Sequence, residues 1–182
     1  YRSSIFNAPK RFGEKLKRVG FTHLVCKNNH MYDLGKEGYR ESVDLIKKCG
    51  IVPIDNRTSV GVMDIINFTT HFNDLGSDRW GFTEIAQEIE RLTESSERLQ
   101  ACFVHWGDQY NPVANTEQLE TKLQLEDAGY TLIVGSGPHS VNQTTMDDGV
   151  LTAYSLGDFL SAHQKPGTTD VGKILVVKVR DN

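Results

Sequence analysis

The chain has 182 residues, of which 38% are hydrophobic and 24% are charged. This balance argues against intrinsic disorder and suits one domain of ordinary size. The 20 basic and 24 acidic residues give a net charge of −4, which makes nucleic acid an improbable main partner. No apolar run reaches the roughly 18 to 20 residues of a membrane-spanning helix.

The first third of the chain predicts two helices and two short strands. Asn7 is placed to cap a helix that ends at Gly20, and residues 21–26 then form an apolar strand. Residues 37–48 repeat apolar side chains with a helical period. The apolar residues 51–54 predict a brief second strand.

The middle of the chain continues the alternation. Residues 60–68 predict one buried strand, and a helix is expected from Thr83 to about Leu99. A strand over residues 101–104 comes next, and Thr116 is expected to cap another helix. Three leucines are expected on the apolar side of that helix: Leu119, Leu123 and Leu125.

The last third predicts strands over residues 130–134, 150–156 and 172–179, with no helix between the last two. Alternating strands and helices indicate a layered α/β fold, and the late strands indicate an antiparallel or mixed portion. The three cysteines show no metal-binding spacing and are predicted to be small buried side chains: Cys26, Cys49 and Cys102.

Three histidines stand just past the ends of predicted strands. They are His30, His105 and His139, and Asn29 offers an amide oxygen beside the first. Ligands of α/β sheets gather at the carboxyl ends of strands, and imidazole suits zinc, manganese or iron. The alternative is three unrelated loop histidines. His71, after the predicted strand 60–68, is a fourth and weaker candidate.

Four segments combine glycines with histidines, aspartates or aromatic residues at short spacings typical of family motifs. They are Asn28-Asn29-His30-x-x-Asp33-x-Gly35-x-x-Gly38, His105-Trp106-Gly107-x-x-Tyr110, Gly135-Ser136-Gly137-Pro138-His139 and Tyr154-Ser155-Leu156-Gly157-Asp158-Phe159. In order and spacing they resemble the motifs of CapA-type capsule or poly-γ-glutamate synthesis proteins, which are built on the calcineurin-like metallophosphoesterase fold.

The resemblance implies a four-layer α/β sandwich of two mixed sheets flanked by helices. The resemblance extends over residues 1–182, which would belong to a single CapA-like metallophosphatase domain. The family's Gly-Asp strand and Asn-Leu-Glu segment should lie before the region that matches Tyr1. The expectation is therefore that the 182 residues are the larger, C-terminal part of the domain, without its N-terminal strands.

The resemblance also implies a centre of divalent metal ions, such as Mn, Zn, Fe or Mg. The implied metal ligands are Asn29, His105 and His139. His30 would contact a phosphoryl oxygen of the substrate or protonate the leaving group, and Ser136 would lie beside the substrate. Asp33 would orient His30, although a carboxylate at a helix N-terminus is an equally good interpretation.

One departure from the family pattern weakens this metal site. Gly137 stands where the family's His-Pro-His turn has its first histidine, and glycine cannot bind a metal ion through a side chain. Without that ligand and the upstream carboxylates, the chain is expected to hold one ion or none.

Two functions follow as alternatives. The first is a metal-dependent phosphoesterase-like hydrolase that acts in capsule assembly on the polymer or on a small phosphorylated substrate. The second is a non-catalytic accessory protein that binds polymer or other subunits of a membrane synthesis complex. A weaker third is a plain α/β binding domain. The resemblance implies an extracytoplasmic location, with membrane anchoring through an N-terminal segment, and no nucleic acid partner.

Overall fold

The computed structural model describes residues 8–73, 82–160 and 169–179. Within these residues the helices are α1 (Arg11–Arg18), α2 (Gly35–Lys48), α3 (Phe82–Leu92) and α4 (Thr116–Asp127). The strands are β1 (His23–Val25), β2 (Val52–Ile54), β3 (Thr58–Val60), β4 (Met63–Thr69), β5 (Leu99–His105), β6 (Leu132–Ser136), β7 (Thr144–Asp147) and β8 (Val150–Ala153). Asn7, the predicted cap of the first helix, lies outside the described residues.

The described strands form two sheets. Strands β1 and β2 pair in parallel as a small sheet, and the other six form a sheet in the order β3-β4-β5-β6-β8-β7. The four central strands of the large sheet are parallel, whereas β3 and β7 run antiparallel at its edges. The predicted mixed α/β fold is therefore confirmed, with α3 and α4 as the connections between parallel strands.

Both faces of the large sheet are covered, so β4 is buried along almost its whole length, including its polar residues Asp64 and Asn67. Ile66 and Phe68 of β4 belong to the main core, together with residues of α3, α4, β5 and β6. Ile65 points to the opposite face, where it packs with Ile54 of β2 and Ala101 of β5. The small sheet therefore lies against the face that the helices leave open.

Two predicted elements around β4 have different bounds. Residues 60–68 are not one strand, because β3 and β4 form a hairpin that turns at Gly61, where φ is +55°. The helix predicted to reach Leu99 ends at Leu92. Ser96 and Arg98 donate to the buried carboxylate of Asp64 at 2.8 and 2.9 Å, which holds this stretch out of the helix and leads Leu99 into β5.

Helix α4 has a different cap and a different buried face from those predicted. Its cap is Asn115, whose side-chain oxygen accepts from the backbone N–H of Gln118 while the Gln118 side chain accepts from the Asn115 N–H. The prediction was right for the buried Leu125 and wrong for Leu119 and Leu123, which are 44% and 59% exposed. At about 100° per residue, these two leucines lie on the side away from Leu125 and Gln118.

The late strands also differ from the prediction. β7 was not predicted, although the Asp148-Gly149 turn that joins it to β8 is a known hairpin signal, with both residues at positive φ. The strand predicted over 172–179 is wrong: the described residues 171–179 pair with no strand, and Ile174 and Val176 are 84% and 77% exposed. An apolar pattern cannot reveal whether a partner strand is present.

Two further expectations concern cysteines and membrane spans. Cys102 is buried, as predicted, but Cys26 and Cys49 are only partly buried, and all three thiols are free. In the part of the chain that the structure describes, no helix is both long and apolar enough to cross a bilayer.

Candidate functional site

The register of the large sheet brings the ends of its central strands together. Thr69, His105 and Ser136 are consecutive partners across β4, β5 and β6. The residues that follow these positions therefore leave the sheet at one edge, the carboxyl edge, where α/β proteins bind ligands.

His105 is the centre of a group of histidines at this edge. Its ring centroid lies 5.3 Å from that of His71, and its Nδ1 lies 3.3 Å from the hydroxyl oxygen of Ser136. Burial lowers the pKa of His105 to about 3, and the charges of His71, His139 and His30 shift it in the same direction. The ring is therefore neutral at physiological pH, which is the state that can bind a metal ion.

His139 is held by the turn that follows β6. Its φ is +60°, and its Nδ1 lies 2.8 Å from a carboxylate oxygen of Asp158. The ring of Tyr110 stacks on it at 5.7 Å, while the Tyr110 N–H donates to the carbonyl of Pro138 at 2.7 Å. With Nδ1 facing a carboxylate, Nε2 is the ring nitrogen left for a ligand, the usual arrangement of metal-binding histidines.

Asn29 and His30 lie in the turn after β1. The His30 N–H donates to the side chain of Asn28 at 2.8 Å, and Nδ1 of the ring lies 2.8 Å from Asp33. Asn29 is 7% exposed, and its amide donates to the side-chain oxygen of Asn73 at 3.1 Å. The amide nitrogen of Asn73 lies 3.0 Å from Nε2 of His30. The two predicted site residues thus share one neighbour.

A carboxylate approaches His71 from helix α4. The Thr70 hydroxyl donates to Glu117, in the first turn of α4, at 2.6 Å and also lies 3.4 Å from Nδ1 of His71. Glu117 is therefore separated from His71 by a single hydroxyl group.

The backbone explains why residue 137 is glycine. Its φ is +121°, and a Cβ atom there would lie 2.3 Å from the carbonyl oxygen of Trp106. Trp106 cannot move away, because its ring is fully buried and its Nε1 donates to the carbonyl of Tyr154 at 2.8 Å. No side chain, including that of a metal-binding histidine, fits at position 137.

The structure places the predicted residues in one region of the molecule. Asp33 contacts His30, Ser136 contacts His105, and the charges of His30 and His139 act on His105. Sequence reasoning missed Asn73 and Asp158 and ranked His71 low. Asp158 belongs to the motif at residues 154–159, whereas no sequence pattern distinguishes Asn73.

The donor atoms at this edge fit a divalent ion in type. They are neutral imidazole nitrogens and a buried carboxamide, which suit zinc, manganese or iron. Among the described residues, however, no group of three or more His, Cys, Asp or Glu side chains is placed to hold an ion. A site here would therefore combine the amide of Asn29 with two histidines, and it would suit a single ion better than two.

Comparison with known proteins gives one family. The model of the family described as bacterial capsule synthesis protein PGA_cap matches residues 1–58 and 66–163. "PGA biosynthesis protein CapA" of Bacillus subtilis (strain 168) is 24% identical over 166 residues, which cover 80% of this chain. "Capsule biosynthesis protein CapA" of Bacillus anthracis is 23% identical over 193 aligned positions and covers 92% of the chain. The chain spans 44% and 46% of these relatives' lengths.

Proposed function

Because the chain belongs to the bacterial capsule synthesis protein family, we propose that it acts in capsule or poly-γ-glutamate biosynthesis as a metal-dependent phosphoesterase-like hydrolase. One observation carries the proposal. At the carboxyl edge of the large sheet, burial lowers the pKa of His105, and three histidines from separate loops lower it further. Such a convergence of imidazoles is costly for protonated rings and favourable for a bound cation.

The ion would be held by Asn29, His105 and His139. A bound divalent ion supplies a Lewis acid and lowers the pKa of a water molecule, which provides a nucleophile at neutral pH. His30, oriented by Asp33 at 2.8 Å, faces the phosphoryl group or the leaving group, and Ser136 offers its hydroxyl to the substrate.

The proposal includes the wider setting of this site. The fold would be one four-layer metallophosphatase domain of two mixed sheets flanked by helices. The protein would act outside the cytoplasmic membrane, on the polymer or on a phosphorylated small substrate. Other subunits of a membrane synthesis complex would be its partners. The capsule and PGA names of the two relatives support this setting.

A second candidate function is a non-catalytic accessory protein with a degenerate metal site. It is favoured by the backbone at Gly137, which leaves no room for a ligand, and by the described residues' lack of a group of three ionisable ligands. In this case the same edge would bind polymer without hydrolysing it.

Hydrolysis of a generic phosphodiester, bis-p-nitrophenyl phosphate, with added Mn²⁺ separates the two candidates. We expect metal-dependent turnover that EDTA abolishes. Replacing His30 with alanine should lower kcat roughly 100-fold or more, because the general acid is lost while the ligands remain. His23→Ala is the matched control, since His23 lies on β1 with its ring 2.9 Å from the hydroxyl of its neighbour Thr22 and is not a candidate site residue.

Turnover that is the same in His30→Ala as in the parent chain would contradict the catalytic role of His30. A chain that binds Mn²⁺ but gives no turnover above the metal alone would support the accessory function instead.

A further inference from the structure

Asn73 lies four residues beyond the end of β4 and joins two loops of the candidate site. Its backbone N–H donates to the carbonyl of Asn29 at 2.8 Å. Its side-chain oxygen accepts from the amide of Asn29 at 3.1 Å, and its amide nitrogen lies 3.0 Å from Nε2 and 3.3 Å from Nδ1 of His30. A single residue therefore contacts both predicted site residues of the turn after β1.

The neighbours of His30 determine what Asn73 does to its ring. The carboxylate of Asp33 accepts from Nδ1, so Nδ1 carries the proton of the neutral ring and Nε2 is an acceptor. The amide nitrogen of Asn73 lies beside the ring, close to both of its nitrogens. Asp33 therefore fixes the proton at Nδ1, and Asn73 holds the orientation of the imidazole.

Asn29 depends on Asn73 in a different way. Asn29 is only 7% exposed, and a buried amide without a hydrogen-bond partner is destabilising. Asn73 supplies that partner and also binds the Asn29 carbonyl, so the side-chain amide of Asn29 is held in one rotamer.

We propose that Asn73 is a positioning residue. It ties the loop after β4 to the turn after β1, and so sets Asn29 and His30 relative to the histidines at the ends of the large sheet. The proposal rests on the proposed function only in treating Asn29 and His30 as site residues. The contacts require a donor and an acceptor on two separate atoms of one short side chain, which asparagine has and aspartate and alanine lack.

Nuclear magnetic resonance of the metal-free chain labelled with ¹⁵N tests directly whether Asn73 positions Asn29 and His30. In Asn73→Ala we expect the side-chain amide of Asn29 to lose protection from hydrogen exchange, and the resonances of the His30 ring nitrogens to shift and broaden because the ring loses the neighbour that holds its orientation. Asn73→Asp keeps the acceptor but not the donor. It should therefore preserve the signal of the Asn29 side-chain amide and shift only the resonances of the His30 ring nitrogens. Asn56→Ala is the matched control, because the Asn56 side chain accepts a hydrogen bond from Lys27, two residues before Asn29, rather than from Asn29 or His30.

The three variants separate positioning from general stability. If the Asn29 and His30 signals of Asn73→Ala match those of the parent chain, the proposal is overturned. It is equally overturned if Asn73→Asp disturbs Asn29 as strongly as Asn73→Ala does, since a merely structural role would give that result.

Mn²⁺ titration of the same samples distinguishes the two proposals. If the parent chain binds Mn²⁺, Asn73→Ala should weaken its affinity by roughly ten-fold or more, the usual effect of removing a residue that orients a ligand. If the parent chain binds no Mn²⁺ while the NMR signals respond as expected, Asn73 keeps its positioning role and the proposed metal-dependent function fails.

Discussion

At the scale of single residues, Gly137 shows how a missing ligand can have a structural reason. The family's turn has a histidine at this place, and the sequence alone suggests simple loss of a metal ligand. The structure adds that a Cβ atom would lie 2.3 Å from the Trp106 carbonyl. Restoring the histidine would therefore disturb the turn that carries His139.

Gly137→Ala should destabilise the chain by about 2 to 4 kcal/mol, the combined effect of overpacking and an unfavourable backbone conformation. Gly61→Ala is the matched control, because Gly61 also has positive φ but no atom lies within 4 Å of its Cβ position. It should cost only about 1 to 2 kcal/mol. Urea denaturation gives both free energies of unfolding, and equal losses would contradict the steric explanation.

The sequence could select His30, His105 and His139 as candidates because each follows a strand, and strand ends meet at one edge. It could not identify Asn73 or Asp158, because their roles depend on where loops cross. Asn73 meets Asn29 and His30 across 44 and 43 positions of sequence, and Asp158 meets His139 across 19. Loop asparagines and aspartates are too common to be distinguished without that geometry.

At the scale of elements, the start of helix α4 is the clearest case in which the predicted capping residue lies one position after the observed one. Thr116 is a good capping residue, but Asn115 precedes it and has Gln118 three positions later, which together form a capping box. The register set by this cap turns Leu125 inward and Leu119 outward.

Asn115→Ala should destabilise the chain by about 1 kcal/mol, because the N–H of Gln118 loses its acceptor. Thr116→Ala, inside the first turn, should change stability by less than about 0.5 kcal/mol. Thermal unfolding of the two variants compares them. A larger loss in Thr116→Ala than in Asn115→Ala would show that the helix begins where the sequence first suggested.

Helical periodicity located all four helices, and the parallel strands followed from their apolar runs. The errors occurred where a long-range partner decides the outcome. Ser96 and Arg98 donate hydrogen bonds to Asp64, so they do not continue the predicted third helix. Residues 172–179 pair with no described strand despite their apolar pattern. Neither outcome is visible in a local window of sequence.

At the scale of the whole molecule, the site spans both sheets, and one buried side chain fixes their relation. The side-chain oxygen of Asn67 on β4 accepts from the backbone N–H groups of Cys26 and Lys27 at 3.0 and 2.7 Å. Its amide donates to the carbonyl of Phe103 on β5 at 2.9 Å. The turn that carries Asn29 and His30 is therefore anchored directly to the strand that ends at His105.

The net charge of −4 gives the molecule no general attraction for an anionic polymer or a phosphate. Binding of such a ligand at the carboxyl edge would need a local positive charge, and His105 supplies none at neutral pH, because burial lowers its pKa to about 3. A bound divalent cation would supply that charge, which links the proposed metal site to the proposed substrate class.

Calorimetric titration of the chain with Mn²⁺ tests the central claim most directly. We expect the chain to bind a single ion, and His105→Ala and His139→Ala to lose most of that affinity while keeping the native circular dichroism spectrum. His23→Ala should bind as the parent chain does. If the parent chain binds no divalent ion, or if His105→Ala binds as tightly as the parent chain, the histidines at the edge of the large sheet are not a metal site.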